Sequence, residues 1–318
     1  MTNRSPTSPA RPSRPPGRHR ILSTVTSAAI AITLVAVFGT DSVAAAAKLE
    51  SSPSFAPAGT QSAGPCARIA QFRQHNFTQP TKINNRFFPL IAGRQFVYEG
   101  RTNQGGTAAP HRITFTVTDL TKVINGVRTR VIWDQDFDEG QLAESELAFF
   151  AQDKKGNVWS MGEYPEEYEN GKFAGAPSVW IPGVSGAKAG VMMPGRPRLG
   201  TPRYVQGTAP KIDFLDCAKV VQRNQRTCVP AKCYQHVLVT DENSPLDPES
   251  GHQRKDYAPG VGNVRISAVG DPEGETMVLT RILRLGPSGL AQARAAVHRL
   301  ERRAYRISSV YRNTCPAR

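Results

Sequence analysis

The hairpin that decides the fold class reads TKVINGVRTRVIW, residues 121–133. Asn125 and Gly126 form a dipeptide that strongly favours a two-residue hairpin turn, because both central positions of that turn need positive φ angles. Valine and isoleucine, which are typical of strands, occur on both sides of the dipeptide. The segment therefore predicts two antiparallel strands joined by a tight turn.

A second hairpin is predicted at residues 154–156, Lys-Lys-Gly, which separate the apolar runs 142–153 and 157–163. About a dozen such short runs, broken by Gly, Pro and Asn, lie between residues 95 and 285. No long helical pattern separates them, so the sequence favours antiparallel pairing over βαβ units. The predicted fold is mainly β: a single antiparallel curved sheet, sandwich or half-barrel with one C-terminal α-helix.

The C-terminal helix is predicted to begin after Pro287, with Ser288 as its N-cap. Its apolar residues recur at helical spacing and form one face. They are Leu290, Val297, Leu300, Ala304 and Ile307. Two interpretations remain open: the helix packs on the sheet with solvated arginines outside, or its arginines bind an anionic lipid or cell-wall polymer.

Charge is concentrated at the two ends of this 318-residue chain, whose formal net charge is +14. Residues 1–47 contain five Arg and one Asp, and residues 287–318 contain seven Arg and one Glu. The rest is nearly neutral and lacks basic residues interleaved with aromatic ones. We therefore predict no nucleic-acid partner.

The N-terminal region has the layout of a signal peptide: arginines, an apolar run over residues 21–38, and small residues ending near Ala47. The run is also long enough to remain as an uncleaved anchor. The predicted location is secreted or extracytoplasmic. The predicted domains are a signal peptide over 1–47, a flexible linker over 48–65, an antiparallel β domain over 66–285, and a basic C-terminal helix and tail over 286–318.

The five cysteines of the chain suit an oxidising compartment. Cys66 and Cys315 lie near the two ends of the predicted mature chain, which often lie close together, so we expect them to pair. One bridge is expected among the other three cysteines, with Cys228 and Cys233 favoured because they flank a predicted turn. One free thiol then remains.

Carboxylates and aromatic residues crowd the predicted hairpin over 142–163. Glu144 and Glu146 fall on one face of their strand because side chains alternate. Carboxyl groups in different environments can divide into general acid and base, so a hydrolase using Glu146 or Glu163 is one hypothesis. The favoured hypothesis is non-catalytic binding of an apolar small molecule or a glycan by the aromatic cluster. The candidate ligand-binding residues are Glu144, Glu146, Phe149, Asp153, Trp159, Glu163 and Tyr257.

Metal and cofactor motifs are absent from the sequence. The histidines have no helical i, i+3 or i, i+4 pairing, which disfavours a zinc site. An EF-hand loop beginning at Asp134 fails, because Glu139 stands at the glycine position and Ser145 at the glutamate position. A different kind of calcium site stays open. We find no nucleophile elbow, phosphate loop or dinucleotide fingerprint, so no metal and no cofactor are predicted.

Three segments resemble a family of bacterial secreted proteins that has no assigned reaction. They are PTKINNRFFPLIAG at 80–93, similar to the family's N-x-x-F-P-L opening, AQDKKGNVW at 151–159 followed by Gly162 and Glu163, and YAPGVG at 257–262. The resemblance implies an exported, mainly antiparallel β protein. Because this chain departs from the family in its cysteines and its C-terminal helix, neither is carried over.

Overall fold

The computed structural model describes residues 66–104, 107–271 and 274–318. The predicted signal peptide and linker lie outside these residues. The described residues form thirteen strands and one α-helix, with these bounds: β1 Arg94–Gln104, β2 Thr107–Ile124, β3 Val127–Asp138, β4 Gln141–Gln152, β5 Val158–Glu169, β6 Lys172–Gly175, β7 Lys188–Met193, β8 Tyr204–Ala209, β9 Phe214–Val229, β10 Lys232–Asn243, β11 His252–Ala258, β12 Gly262–Val269, β13 Thr276–Arg284 and α1 Pro287–Ile307.

Twelve of the strands close into an antiparallel barrel, and β6 pairs with β5 outside the ring. The ring runs β4, β3, β2, β1, β13, β12, β11, β10, β9, β8, β7 and β5, and β5 returns to β4. The mainly antiparallel β prediction and the C-terminal helix are confirmed. The open sheet or half-barrel is corrected to a closed barrel, because β1 pairs with β13 and places Arg94 opposite Arg284.

Both predicted hairpins are present. Asn125 and Gly126 have φ angles of 47° and 75°, and Ile124 pairs with Val127 across the turn between β2 and β3. Gly156 has a φ angle of 82° in the loop between β4 and β5. Both turns therefore form at the predicted positions, with positive φ angles at the predicted residues.

Alternate residues of β4 belong to two different cores. Ala148 and Phe150 pack with residues from all round the ring, so their face is the barrel interior. Leu147 and Phe149 pack instead with Val297 and Leu300 of α1, on the outer face. Both faces of the strand are thus buried.

Helix α1 is confirmed over Pro287–Ile307, but its N-cap is Gly286 rather than Ser288. Its buried stripe lies on the outer face of β2, β3 and β4. Arg294 binds Asp119 and Arg303 binds Glu166, so two of its arginines are ion-paired to the barrel. Among the described residues, no helix has both the length and the apolar character that membrane crossing requires.

The predicted Cys66–Cys315 disulfide is wrong. Cys66 bonds to Cys217, Cys228 bonds to Cys233 as predicted, and Cys315 is free and exposed. The physical reason is that the described chain starts beside β8, where Ala67 forms a parallel bridge with Tyr204. Strand β9, which carries Cys217, is the neighbour of β8.

Candidate functional site

Five buried carboxyl groups from three adjacent strands lie on the interior face of the barrel; we call them the acidic cluster. They are Asp134, Asp136, Glu144, Glu146 and Glu163. The register places Asp134 opposite Glu146 and Asp136 opposite Glu144, and Glu163 opposite Ala148. Carboxylates that face each other directly repel, so this arrangement costs stability when both are charged.

His111 of β2 supplies a positive charge to this cluster. Its Nε2 atom lies 3.0 Å from Asp136 Oδ1 and 3.3 Å from Glu275 Oε1, and its Nδ1 atom lies 2.7 Å from Asp138 Oδ1. Burial alone would lower the pKa of His111, but the charge of Asp136 and hydrogen bonds to the three carboxylates raise it to about 12. The imidazole is therefore protonated at neutral pH.

The carboxyl groups of the cluster bind protons more tightly than usual. Burial is the main cause that raises the pKa of Asp136 to about 6, although the charge of His111 opposes it. Burial, followed by the charges of Glu163, Glu144 and Asp134, holds the pKa of Glu146 well above its ordinary value. Both carboxyl oxygens of Glu146 lack a hydrogen-bond partner within the described part of the chain. Glu146 therefore holds its proton more tightly than an exposed carboxyl group does.

The chemistry available to the acidic cluster is limited by access. Glu146 is 1% exposed and Glu163 is 3% exposed, so the closed barrel keeps solvent and substrate away from both. In the described ranges, no group of three or more His, Cys, Asp and Glu side chains is placed to hold a metal ion.

The seven residues predicted to bind a ligand do not form one site. Glu144, Glu146 and Glu163 share the interior face, whereas Phe149 and Trp159 belong to the outer core. The Trp159 indole N–H donates to Asp153 Oδ2 at 2.9 Å, at the turn between β4 and β5.

Tyr257 lies elsewhere in the barrel interior, where its hydroxyl donates to Glu242 Oε1 at 3.1 Å. Alternation along β4 separates Phe149 from Glu144 and Glu146. In β5 a register shift between the partners of Ala148 and Phe150 places Trp159 and Glu163 on opposite faces, although they are four residues apart.

The three segments that resemble the secreted family meet at one place in the barrel. The Asn85 side chain donates to the carbonyl oxygens of Gly156 and Pro194 at 2.9 and 3.0 Å. The Gly260 N–H donates to the Arg86 carbonyl at 2.7 Å. Each of the three segments therefore bonds to another, which gives their residues a structural role.

A groove of about 470 Å³ lies on the outer side of the barrel, and the sequence did not indicate it. We call it the outer groove. Its walls are residues 174–187, the short 3-10 helix Pro210–Ile212 and the end of α1 at 307–310. The lining is mainly apolar and includes Ala176, Val179, Trp180, Val184, Ile212, Ile307 and Val310.

Trp180 gives the outer groove its one buried aromatic ring. The ring stacks on Phe214 with centroids 5.0 Å apart, and Trp180 is 1% exposed. Its indole N–H has no acceptor among the described residues. An unpaired buried donor costs free energy. The nitrogen itself is buried, so a molecule in the groove does not reach it in this arrangement.

Two ionisable side chains also line the outer groove. Lys211 is exposed on the 3-10 helix. Burial, with a smaller contribution from the charge of Glu169, raises the pKa of Glu167 to about 7. The groove therefore combines an apolar lining with a cationic side chain and a carboxyl group that is partly protonated at neutral pH.

A second cavity, of about 20 Å³, lies between the 88–90 segment and the barrel wall beside Tyr98 and Asn263. This volume is about that of one water molecule, so the cavity is too small for an organic ligand.

No family model and no curated protein matches the chain. Among solved structures, it is similar to a protein of Bacteroides fragilis described as exported with a YmcC-like fold, at 16% identity and a TM-score of 0.33, over 63% of this chain and 99% of that chain. It is also similar to a protein of Parabacteroides distasonis described as a lipoprotein, at 14% identity and a TM-score of 0.30, over 63% of this chain and 99% of that chain.

Proposed function

We propose that this protein is exported and binds a small apolar ligand in the outer groove without catalysis, and that it belongs with the secreted family its three motifs resemble. Export is supported by the signal-like N-terminal sequence and by two disulfides, Cys66–Cys217 and Cys228–Cys233, which are typical of oxidising compartments. The bonds among the three motif segments support the family assignment, since they are one structural unit.

The outer groove is the observation that carries the binding proposal. Its volume of about 470 Å³ lies within the range of small-molecule sites, roughly 300–1,000 Å³. Apolar walls favour an apolar ligand. An apolar ligand is favoured over a glycan, because the stacked, buried ring of Trp180 offers no open face to a sugar.

The experiment measures the binding of N-phenyl-1-naphthylamine, a neutral apolar fluorescent probe, and its displacement by dodecanol. Ile307→Glu places a charge in the groove at a residue that is 48% exposed, so the fold tolerates it and probe binding is lost. Leu283→Glu is the matched control, because Leu283 is 40% exposed on β13 and lies outside the groove. Equal binding by both variants and the wild type overturns the proposal.

Acid–base hydrolysis is a second candidate function, favoured by the raised pKa of Glu146 beside Glu163. This function requires the barrel to open, because both side chains are buried. Glu163→Gln abolishes turnover of aryl glycosides if the acidic cluster is catalytic. The same variant leaves probe binding in the outer groove unchanged.

A further inference from the structure

We propose that the ligand of the outer groove is a single anionic amphiphile, an acyl chain that carries a phosphate. The chain lies along the apolar lining, and the phosphate binds cationic side chains at the rim. This inference rests on the proposed function, since it assigns a chemical class to the ligand of the same site.

The cationic rim comes from the last turns of α1. Arg294 and Arg303 are occupied by Asp119 and Glu166. The remaining three, Arg299, Arg302 and Arg306, are exposed, and in the described part of the chain no carboxylate lies within ion-pair distance of them. The helix thus keeps three arginines whose charge the barrel does not neutralise.

These three arginines belong to the part of α1 that ends at the outer groove, where Ile307 is a lining residue. Spacings of three and four residues place them on one face of the helix, and Arg302 lies about 6 Å before Arg306 along the helix axis. Arg306 immediately precedes Ile307, which lines the groove, and Lys211 lies on another wall. Lys211 therefore lines the groove, and Arg306 lies one residue before the end of α1 that lines it.

The type of cation favours a phosphate group. The C-terminal 32 residues, 287–318, contain seven arginines and no lysine. A guanidinium binds phosphate through two parallel hydrogen bonds, whereas an ammonium acts as a point charge. The opposing charge of Glu167 is reduced at neutral pH, because its pKa is raised to about 7.

The packing of α1 favours one bound lipid over a bilayer surface. An amphipathic helix binds a bilayer by inserting its apolar face. Here Val297, Leu300 and Ala304 already pack on the outer face of the barrel, so that face cannot insert. The apolar surface still open near the arginines is the groove itself, with Ile307 at its edge.

The experiment compares three probes by calorimetry below their micelle concentrations: lauroyl lysophosphatidic acid, monolaurin, which has the same chain without the phosphate, and glycerophosphate, which has no chain. We expect the phosphate-bearing lipid to bind most tightly. Arg306→Gln weakens its binding about fivefold, and the double variant with Arg302→Gln weakens it further, as each arginine contributes about 1 kcal/mol. Monolaurin binding stays unchanged.

Arg223→Gln is the control variant, because Arg223 is an exposed arginine of β9 outside the groove lining. Equal affinity for lysophosphatidic acid and monolaurin overturns this inference and leaves the proposed function intact. Absence of binding by both lipids overturns both proposals. Glycerophosphate binding as tight as that of the lipid overturns the role of the groove.

A bilayer source is tested with vesicles that contain phosphatidylglycerol. Cosedimentation that persists in Ile307→Glu and disappears in the double arginine variant indicates a membrane surface and overturns the single-lipid inference.

Discussion

Lys122 and Glu146 are buried to the same degree, but their surroundings differ. On the outer face, the Lys122 ammonium donates to Glu301 at 2.7 Å and to the Tyr305 hydroxyl at 3.0 Å. Glu301 also accepts a hydrogen bond from the Tyr311 hydroxyl at 2.9 Å. In the barrel interior, both carboxyl oxygens of Glu146 lack a hydrogen-bond partner among the described residues, and other carboxyl groups surround it.

The difference separates two uses of buried charge. The outer pair joins β2 to α1, and its hydrogen bonds satisfy both ions, so it defines where the helix sits. The acidic cluster does the reverse, because desolvation and like charge make it unfavourable unless its carboxyl groups keep protons. The pair Lys122–Glu301 fixes the helix to the sheet, and the acidic cluster makes the stability of the barrel depend on pH.

The largest effect is expected from Glu301→Gln. This variant leaves the buried ammonium of Lys122 without a carboxylate, so we expect a loss of about 3–5 kcal/mol in the free energy of unfolding. Guanidinium unfolding followed by tryptophan fluorescence measures it. The double variant with Lys122→Met should recover much of the loss. A cost under about 1 kcal/mol for the single variant would remove the contrast with Glu146.

A smaller loss in the free energy of unfolding near pH 6 is expected from His111→Asn, because the acidic cluster loses its cation but can take up protons instead. Folding raises the pKa of His111 to about 12, from an ordinary value of 6.5. The stabilisation is therefore complete below about pH 6.5 and declines as the pH rises towards the folded value. The difference between wild type and variant should shrink from pH 6 to pH 9, and a constant difference contradicts this assignment.

Glu146→Gln should have the opposite sign. Folding raises the pKa of Glu146, so the folded protein keeps a proton that the unfolded chain releases, and wild-type stability falls as the pH rises above about 4.5. The variant should therefore gain on the wild type in urea unfolding as the pH rises above about 4.5. Glu249→Gln, at an exposed position, should show no such gain.

The smallest effect is expected from Arg281→Gln, which breaks an exposed pair with Glu99 at 3.6 Å. Solvent screens this pair, so the free energy of unfolding should change by less than about 0.5 kcal/mol. Thermal unfolding against the wild type measures the change. A loss as large as that of Glu301→Gln would mean that burial does not explain why the Lys122–Glu301 pair stabilises the fold more than the exposed Arg281–Glu99 pair.

Local features of the fold were predictable from the sequence. Asn125 and Gly126 determine their turn through their own backbone preferences, and the apolar stripe of α1 repeats at the helical period. Closure of the barrel and the Cys66–Cys217 bond were not predictable, because each joins segments that are remote in sequence and have no local signal.

The candidate site was predictable only in part. Alternation placed Glu144 and Glu146 on one face, but β4 is buried on both faces, so its sequence does not show which face is inside. The outer groove was missed because two loops and a helix end form it, and none of these has a periodic pattern. Nothing in the sequence distinguishes Trp180 from an aromatic residue of the core.

The pairing of β1 with β13 has a consequence for the order in which the chain can mature. During synthesis β1 emerges before β13. One edge of β1 therefore stays unpaired until Thr276–Arg284 is available and the barrel can close. Pairings between residues this far apart form slowly, and open strand edges invite association with other chains. A chain held unfolded until its C-terminus is available avoids that hazard. A truncation before β13 leaves unpaired edges on β1 and β12, so the barrel stays open.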